Sequence, residues 1–334
     1  MSDRSDHDQS IAAPAAAPKR DVHFSVAMHL RFLLRLDRTF SVKQAVRAAV
    51  TPGARVLDAG CGMGILSFLA LEAGAGDVVA VDRDHVDLAR DLARANGFAD
   101  RIRFLEADLR ELTPSDLSGR FDVLFAFIYT NHIIVDEARS TAVCDLRHRF
   151  GTSTCVTVPN RVRYRAIPCD WPPVDAYTEL ADLRRSVGDL EDRYALNLGP
   201  LLDAMTTEVC YNRSRPVTFG DYDWSPGFTN GGYRHRRGGG RFLGDPTLVT
   251  EIRYDGGERF AGLPDRATLA VESAGTLNAV MWIQELWFND FLIWSTEVFS
   301  PLTHAIPVRG GDRVTVLLDD GWRATNALSV ADPR

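Results

Sequence analysis

The chain has 334 residues, of which 45% are hydrophobic and 25% charged, and its formal net charge is −7. That length allows two domains, and that composition is ordinary for a soluble globular protein. The negative balance argues against a duplex nucleic-acid binder, which needs a basic face, and no apolar run approaches the ~20 residues that span a bilayer.

Residues 1–20 are rich in Ser, Asp, Ala and Pro and lack an apolar signal core, so they are expected to be a disordered tail. Val22 to Val50 has helical periodicity, with Met28, Leu30, Leu33, Leu34 and Leu36 able to form an apolar face. Helix–strand alternation then runs from Arg55 to about Val158, which predicts a parallel, doubly wound sheet. The first unit reads Val56-Leu-Asp-Ala-Gly-Cys-Gly-Met-Gly-Ile-Leu66, a strand, a glycine turn and a helix, followed by Val78-Val-Ala-Val-Asp82, a strand ending in an acid. Gly60, Gly62 and Gly64 let the backbone turn tightly and approach a ligand with no Cβ in the way. An acid at the tip of the next strand can accept hydrogen bonds from a ribose diol. Ile102-Arg-Phe-Leu-Glu-Ala-Asp108 reads as the third strand and Phe121-Asp-Val-Leu-Phe125 as the fourth. The segment after it, Ala126-Phe-Ile-Tyr-Thr-Asn-His-Ile-Ile-Val-Asp-Glu137, is crowded with aromatic and titratable side chains.

Pro159 marks a change of pattern. Thr157–Val158, Val162–Tyr164, Leu248–Ile252, Ala267–Val271, Ala279–Leu286, Thr303–Pro307 and Arg313–Leu318 read as short strands of an antiparallel sheet or barrel. Between them, Ala176 to about Arg193 reads as a helical insert with leucines at 180, 183 and 190. Its leucine stripe needs a surface to cover it, so a homodimer is expected. Arg234-His-Arg-Arg237, beside three glycines, reads as a solvated loop. The five cysteines, at 61, 144, 155, 169 and 210, show no paired or metal-ligand spacing, which suits reduced thiols in the cytoplasm and no metal site.

The glycine spacing separates two nucleotide-binding families. NAD-binding turns want G-x-G-x-x-G, and Ile65 breaks that pattern. The form D-x-G-x-G-x-G, opening on Asp58, resembles the first motif of class I S-adenosyl-L-methionine (SAM) methyltransferases. The resemblance implies SAM as cofactor, its methionine part against the turn, its ribose on Asp82, and its adenine near Asp108 and Leu109.

The order of leading helices, SAM domain and β domain with a helical arm resembles the protein arginine methyltransferases. Their leading helix carries a His and, nine residues on, an Arg-Thr pair; here His29 is followed by Arg38-Thr39. The resemblance implies that His29 and Arg38 bind the SAM carboxylate, for which a guanidinium can offer two parallel hydrogen bonds. It also implies a fold of α/β class: residues 21–158 as leading helices and a Rossmann-like SAM domain, residues 159–334 as an antiparallel, β-barrel-like domain, and a dimerisation arm over about 176–205.

The departures from that family bear on the acceptor. Arginine methyltransferases hold the guanidinium with two glutamates in the loop after the fourth strand. The first of these positions holds Phe127, and the second survives as Asp136 or, with a one-residue slip, Glu137. The family's T-H-W loop appears as Leu292-Ile-Trp294. Losing a carboxylate removes a counter-charge against a desolvation penalty of several kcal/mol per ion, whereas an aromatic wall adds roughly 0.5–1.5 kcal/mol per stacked ring. The expected enzyme therefore methylates a small neutral aromatic along a wall of Phe125, Phe127 and Trp294. Its closest functional likeness is to bacterial indole C3-methyltransferases that act on tryptophan cyclic dipeptides and form a pyrroloindoline. His132 is the expected base, with Asp136 or Glu137 to orient it and Tyr129 to hydrogen-bond the substrate or relay its proton. Arginine, free or in protein, or another guanidine metabolite is the alternative acceptor. A catalytically silent SAM-binding or dimerisation partner is the reading from another class.

Overall fold

The structure, a computed structural model, describes residues 26–129, 133–170, 184–185, 187–189, 191–193, 197–199, 241–255, 260–318 and 329–330. Five parallel strands form the first sheet: β1 (Arg55–Ala59), β2 (Asp77–Asp82), β3 (Ile102–Glu106), β4 (Phe121–Phe125) and β5 (Gly151–Val158). Their spatial order is β3-β2-β1-β4-β5. The chain reverses direction across the sheet between β1 and β4, and open α/β sheets bind ligands outside the strand ends at such a switch point. Val56, Leu57 and Ala59 on β1 and Val78 to Val81 on β2 are all buried, as strands covered on both faces require. Helices α3 (Ile65–Glu72), α4 (Val86–Ala95) and α5 (Ile133–Phe150) supply the cover.

The leading segment is two helices, not one: α1 (Val26–Leu34) and α2 (Leu36–Ala49), broken at Arg35 by a non-helical φ −78°, ψ 84°. The apolar face expected there is corrected as well. Leu30, Leu34 and Leu36 are 52%, 62% and 76% exposed, while α2 buries the smaller Val42, Ala45, Val46 and Ala49. Those small side chains join Val56, Phe68 and Val78 in one core, so they dock the helix where leucine periodicity pointed elsewhere.

The second half is antiparallel. β6 (Arg161–Asp170), β7 (Arg241–Phe242), β8 (Thr247–Arg253), β10 (Gly275–Phe288) and β11 (Phe291–Val308) form one sheet, in the order β11-β10-β6-β7 with β8 also on β6. β9 (Arg266–Ala270), β12 (Arg313–Leu317) and β13 (Ser329–Val330) form another. The two short strands expected at Ala279–Leu286 and Thr303–Pro307 are parts of one long hairpin, β10–β11. Its turn is Asn289-Asp290, between the paired Phe288 and Phe291, with Asn289 at φ 53°. Asn160 fixes that turn twice over: its side-chain amide donates to Asn289 Oδ1 and its Oδ1 accepts from Asn289 N, both at 2.9 Å. The hairpin carries Trp294 opposite Leu286.

The two halves share one core. Leu57, Leu124, Ile133 and Val143 of the parallel half pack in the same cluster as Val280, Trp282, Ala267 and Val316 of the antiparallel sheets. Of the arm expected over about 176–205, most residues lie outside those described, and so does Arg234-His-Arg-Arg237.

Candidate functional site

The glycine turn lies at the end of β1. Gly60, Gly62 and Gly64 have φ of 80°, 53° and 80°, in the left-handed region that disfavours any side chain. The turn is tied down by Gly60 N and Cys61 N, which donate to Val81 O at 2.8 and 3.0 Å. Asp82 tightens it further. Its Oδ2 accepts from Gly62 N at 2.7 Å, and its Oδ1 accepts from Arg83 N and Asp84 N at 2.8 and 3.1 Å. A carboxylate has about four lone-pair positions, so these three amides leave Asp82 room for one further strong donor. A ribose diol that made two bonds to Asp82 would need one of these amides to give way.

The leading helix closes over this turn. A Cβ on Gly62 would overlap the imidazole of His29, with Nδ1 at 3.0 Å, and a Cβ on Gly60 would overlap the side chain of Ile128. His29 also meets His85 edge to face, with ring centroids 5.6 Å apart. Burial lowers the pKa of His29; His85 and Arg38 push the same way, and Asp82 opposes them. Arg38 is brought down to about 10 by burial first and Arg35 second. His29 and Arg38 are thus near enough for the charge of one to act on the other.

Asp58 is fully buried behind the turn, where its Oδ2 accepts from Ser67 Oγ at 2.7 Å and its Oδ1 has no hydrogen-bond partner among the described residues. Burial raises its pKa to about 7, with Ser67 opposing the shift and Asp82 adding to it. Because the folded pKa lies above the ordinary 3.8, the folded state keeps this proton while the unfolded chain releases it. The resulting stabilisation is complete below about pH 4 and is lost as pH rises to about 7, on the order of 4 kcal/mol in all. Asp58→Asn should therefore gain on the wild type in urea melts as pH rises from 4 to 7; a constant difference would show an unshifted group.

On the third strand's side, Asp108 is held by Arg110, whose Nε and backbone N each lie 2.9 Å from Oδ1. That bonding lowers the Asp108 carboxyl to about 2. Leu109 packs against the main core. The adenine role read for these two residues falls to what Asp108 leaves open beyond Arg110.

The expected aromatic wall is partly reassigned. Phe125 is fully buried within β4's core and cannot line a cavity. Its position on a central strand, covered on both faces, is the reason. Phe127 and Trp294 are partly exposed and touch both core clusters. The guanidinium of Arg38 lies 6.0 Å from the Phe127 ring centroid and 4.9 Å from that of Phe32. That of Arg35 lies 4.5 Å from Trp294. The break between α1 and α2 thus lays two cations on aromatic faces.

The polar residues of the loop also differ from expectation. Tyr129 is buried and its hydroxyl shares a hydrogen bond with the Tyr254 hydroxyl, while burial and then Tyr254 hold its pKa well above the usual phenol value. It is not a free proton relay. Asp136 is fully buried, and its Oδ2 accepts from Tyr164 OH at 3.1 Å and Gln284 Nε2 at 2.6 Å. Glu137 Oε1 accepts from Leu263 N at 3.0 Å. His132, the expected base, lies outside the described residues. Ile128, Arg35 and His85 were not singled out from the sequence. The break at Arg35 and the left-handed His85 (φ 61°) have no composition signal, and Ile128 is an ordinary apolar residue in an aromatic run.

The residues present fit SAM. The turn has no Cβ to displace, the acid at the strand tip retains one acceptor position, an orphaned carboxylate oxygen lies behind the turn, and a His–Arg pair lies beside it.

Residues 56–149 match the family described as "Methyltransferase domain". A protein arginine N-methyltransferase 7 from Anopheles gambiae is 30% identical over 161 residues, 47% of this chain and 23% of its own length. The chain spans less than half the length of the curated arginine methyltransferases it matches. Among solved structures, Arabidopsis thaliana protein arginine methyltransferase 10 superposes with a TM-score of 0.61 over 88% of both chains at 19% identity. The Trypanosoma brucei PRMT1 enzyme–prozyme heterotetramer, solved with AdoHcy, gives 0.59 over 87% of both at 16%. The fold is thus that of these proteins. Residues 56–149 are a SAM-dependent methyltransferase domain, and S-adenosyl-L-methionine is its cofactor.

Proposed function

We propose that the whole chain acts as a SAM-dependent methyltransferase whose acceptor enters beside Phe127 and Trp294. The observation that carries this is the turn itself: three left-handed glycines, Asp82 bonded into them, and His29 closed on Gly62. When bound, the cofactor supplies an electrophilic methyl group on a sulfonium. The protein's own task is then alignment and exclusion of water. His29 and Arg38 would grip the cofactor's carboxylate, Asp82 a ribose hydroxyl, and Asp108 with Leu109 the adenine edge.

For the acceptor, a guanidine nitrogen, of arginine free or in protein, has the better support. The Anopheles relative and both solved structures carry arginine methyltransferase names. A small neutral aromatic stays a second reading on one observation: Phe127 stands at the family's first acid position, and Asp136 and Glu137 are both engaged in contacts to the antiparallel half. No relative reported above supports its most specific form, indole C3 of a tryptophan cyclic dipeptide. His132 is proposed as the base for either acceptor, and a homodimer through residues about 176–205 as the assembly.

Transfer of labelled methyl from SAM to histone-type peptides, free arginine and tryptophan cyclic dipeptides divides these readings. Label on guanidines alone ends the aromatic reading, and label on the cyclic dipeptide alone ends the arginine one. A wild-type chain that binds neither SAM nor S-adenosylhomocysteine by calorimetry would leave only a silent partner. His132→Ala should slow turnover at least ~100-fold, the lower end of the ordinary range for general base catalysis, with SAM affinity nearly unchanged. Full activity in that variant would remove the base assignment.

A further inference from the structure

A buried line of contacts runs from the glycine turn to the antiparallel sheet, and binding of the cofactor alone does not account for it. Ile128 covers Gly60 so closely that a Cβ there would overlap its Cγ2. The carbonyl oxygen of Ile128 accepts a hydrogen bond from Arg139 Nη1 on α5. Arg139 Nε lies 3.8 Å from Asp136 Oδ1, one turn earlier on that helix. The other oxygen of Asp136 accepts from Tyr164 OH on β6 and Gln284 Nε2 on β10. Gln284 Nε2 also reaches Tyr164 OH at 2.6 Å. Beside this line, the Tyr129 and Tyr254 hydroxyls join the residue after Ile128 to the end of β8.

The burial argues that these contacts have a use. Asp136 is 0% exposed and Gln284 1%, at positions where an apolar side chain would cost nothing in desolvation. Asp136 Oδ2 and Gln284 Nε2 are engaged with each other, while Gln284 Oε1 finds no hydrogen-bond partner among the described residues. Past Ala126, whose N–H donates to Val158 O, the β4 ladder ends, and the Ile128 carbonyl is held by a side chain instead.

We propose that Asp136 is a positioning residue, through which Gln284 and Tyr164 of the antiparallel half hold Arg139 and, with it, the Ile128 wall over the glycine turn. The proposal rests on the cofactor occupying that turn and holds for either acceptor. The antiparallel half then does more than carry Trp294: it sets the shape of the cofactor site from 284 down to 60.

The test uses the full chain with Asp136→Asn, Gln284→Met and Tyr164→Phe, read by amide hydrogen exchange at residues 126–129 and by calorimetry with S-adenosylhomocysteine. Exchange at Ile128 and Tyr129 should rise ~10-fold in Asp136→Asn and Gln284→Met, as expected of a local opening made easier. S-Adenosylhomocysteine should bind ~5- to 10-fold more weakly in both. The double variant should be no worse than the poorer single one within about twofold, because both cut the same line. Tyr164→Phe, which removes one of two bonds, should lose about twofold. If a core variant fails to fold, Arg139→Lys keeps the charge but not the reach to Ile128 O, and should free the same two amides. Unchanged exchange in Gln284→Met, or additive losses in the double variant, would overturn the proposal. So would an Asp136→Asn protein with wild-type exchange and cofactor affinity but no methyl transfer, since Asp136 would then act on the acceptor. A wild-type protein that binds no S-adenosylhomocysteine strikes the functional reading instead, and the exchange measurements still decide the tie.

Discussion

Asp82→Ala should weaken S-adenosylhomocysteine binding about 100-fold in calorimetry. The carboxylate serves the site in two ways that its removal ends together. Its remaining acceptor position would take a ribose hydroxyl in the proposed site, a charge-assisted bond whose net worth is roughly 1.5–3 kcal/mol. It also receives the amides of Gly62, Arg83 and Asp84, which would lose their acceptor and with it the conformation of the turn. About 2.7 kcal/mol in sum corresponds to a factor near 100. Asp82→Asn keeps the side-chain oxygen that accepts from Arg83 and Asp84 but turns an NH2 toward Gly62 N or the ribose, so a loss of about tenfold is expected. Affinity within threefold of wild type in Asp82→Ala would mean that the ribose is held elsewhere, and the assignment of this turn to SAM would fail with it.

The parallel half was legible because its signals are local. β1, the turn and β2 form one contiguous unit, and the requirement for left-handed residues writes glycine into the sequence at 60, 62 and 64. Four of its strands could be bounded to within a few residues, although Asp58, Arg103 and Asp122 interrupt the apolar residues of three of them. The hairpin β10–β11 was not, because its turn is Asn289-Asp290 rather than a glycine pair, and its fixing group is Asn160, more than a hundred residues away. Contacts distant in sequence also hid the fate of Asp136, 28 residues from Tyr164 and 148 from Gln284. Its place in the loop suggested an acid near the acceptor, and only the fold brings Tyr164 and Gln284 onto it.

The aromatic wall shows a similar mixture. Phe125, Phe127 and Tyr129 follow each other at every second position, which in a strand would put all three on one face. The strand ends at Phe125, and the three part company: Phe125 into the core, Phe127 toward Arg38, Tyr129 onto Tyr254. Any acceptor that uses Phe127 and Trp294 must share their faces with Arg38 and Arg35 or displace them. A neutral ring would meet no charge repulsion from either guanidinium, whereas a second guanidinium would meet like charge that Asp37, 3.5 Å from Arg35, offsets in part. The labelled-methyl comparison bears on the choice of acceptor directly.

Gly62→Ala is expected to have the other large effect, and its partial reversal is diagnostic. At φ 53° a residue with a Cβ meets the left-handed penalty of about 1–2 kcal/mol. The new methyl group would also overlap the His29 imidazole, forcing α1 away from the turn. If His29 and Arg38 hold the cofactor from α1, displacing that helix should weaken S-adenosylhomocysteine by at least ~30-fold beyond any loss of fold stability, which thermal melts would report separately. Adding His29→Ala to Gly62→Ala removes the overlap but not the backbone strain. The double variant should then bind better than Gly62→Ala alone, by about three- to tenfold, although His29→Ala by itself weakens binding. That reversal of sign is what direct packing of His29 on the turn demands. Simple additivity of the two losses would show that α1 does not rest on Gly62 in solution, and the closed arrangement of helix over turn would have to be abandoned.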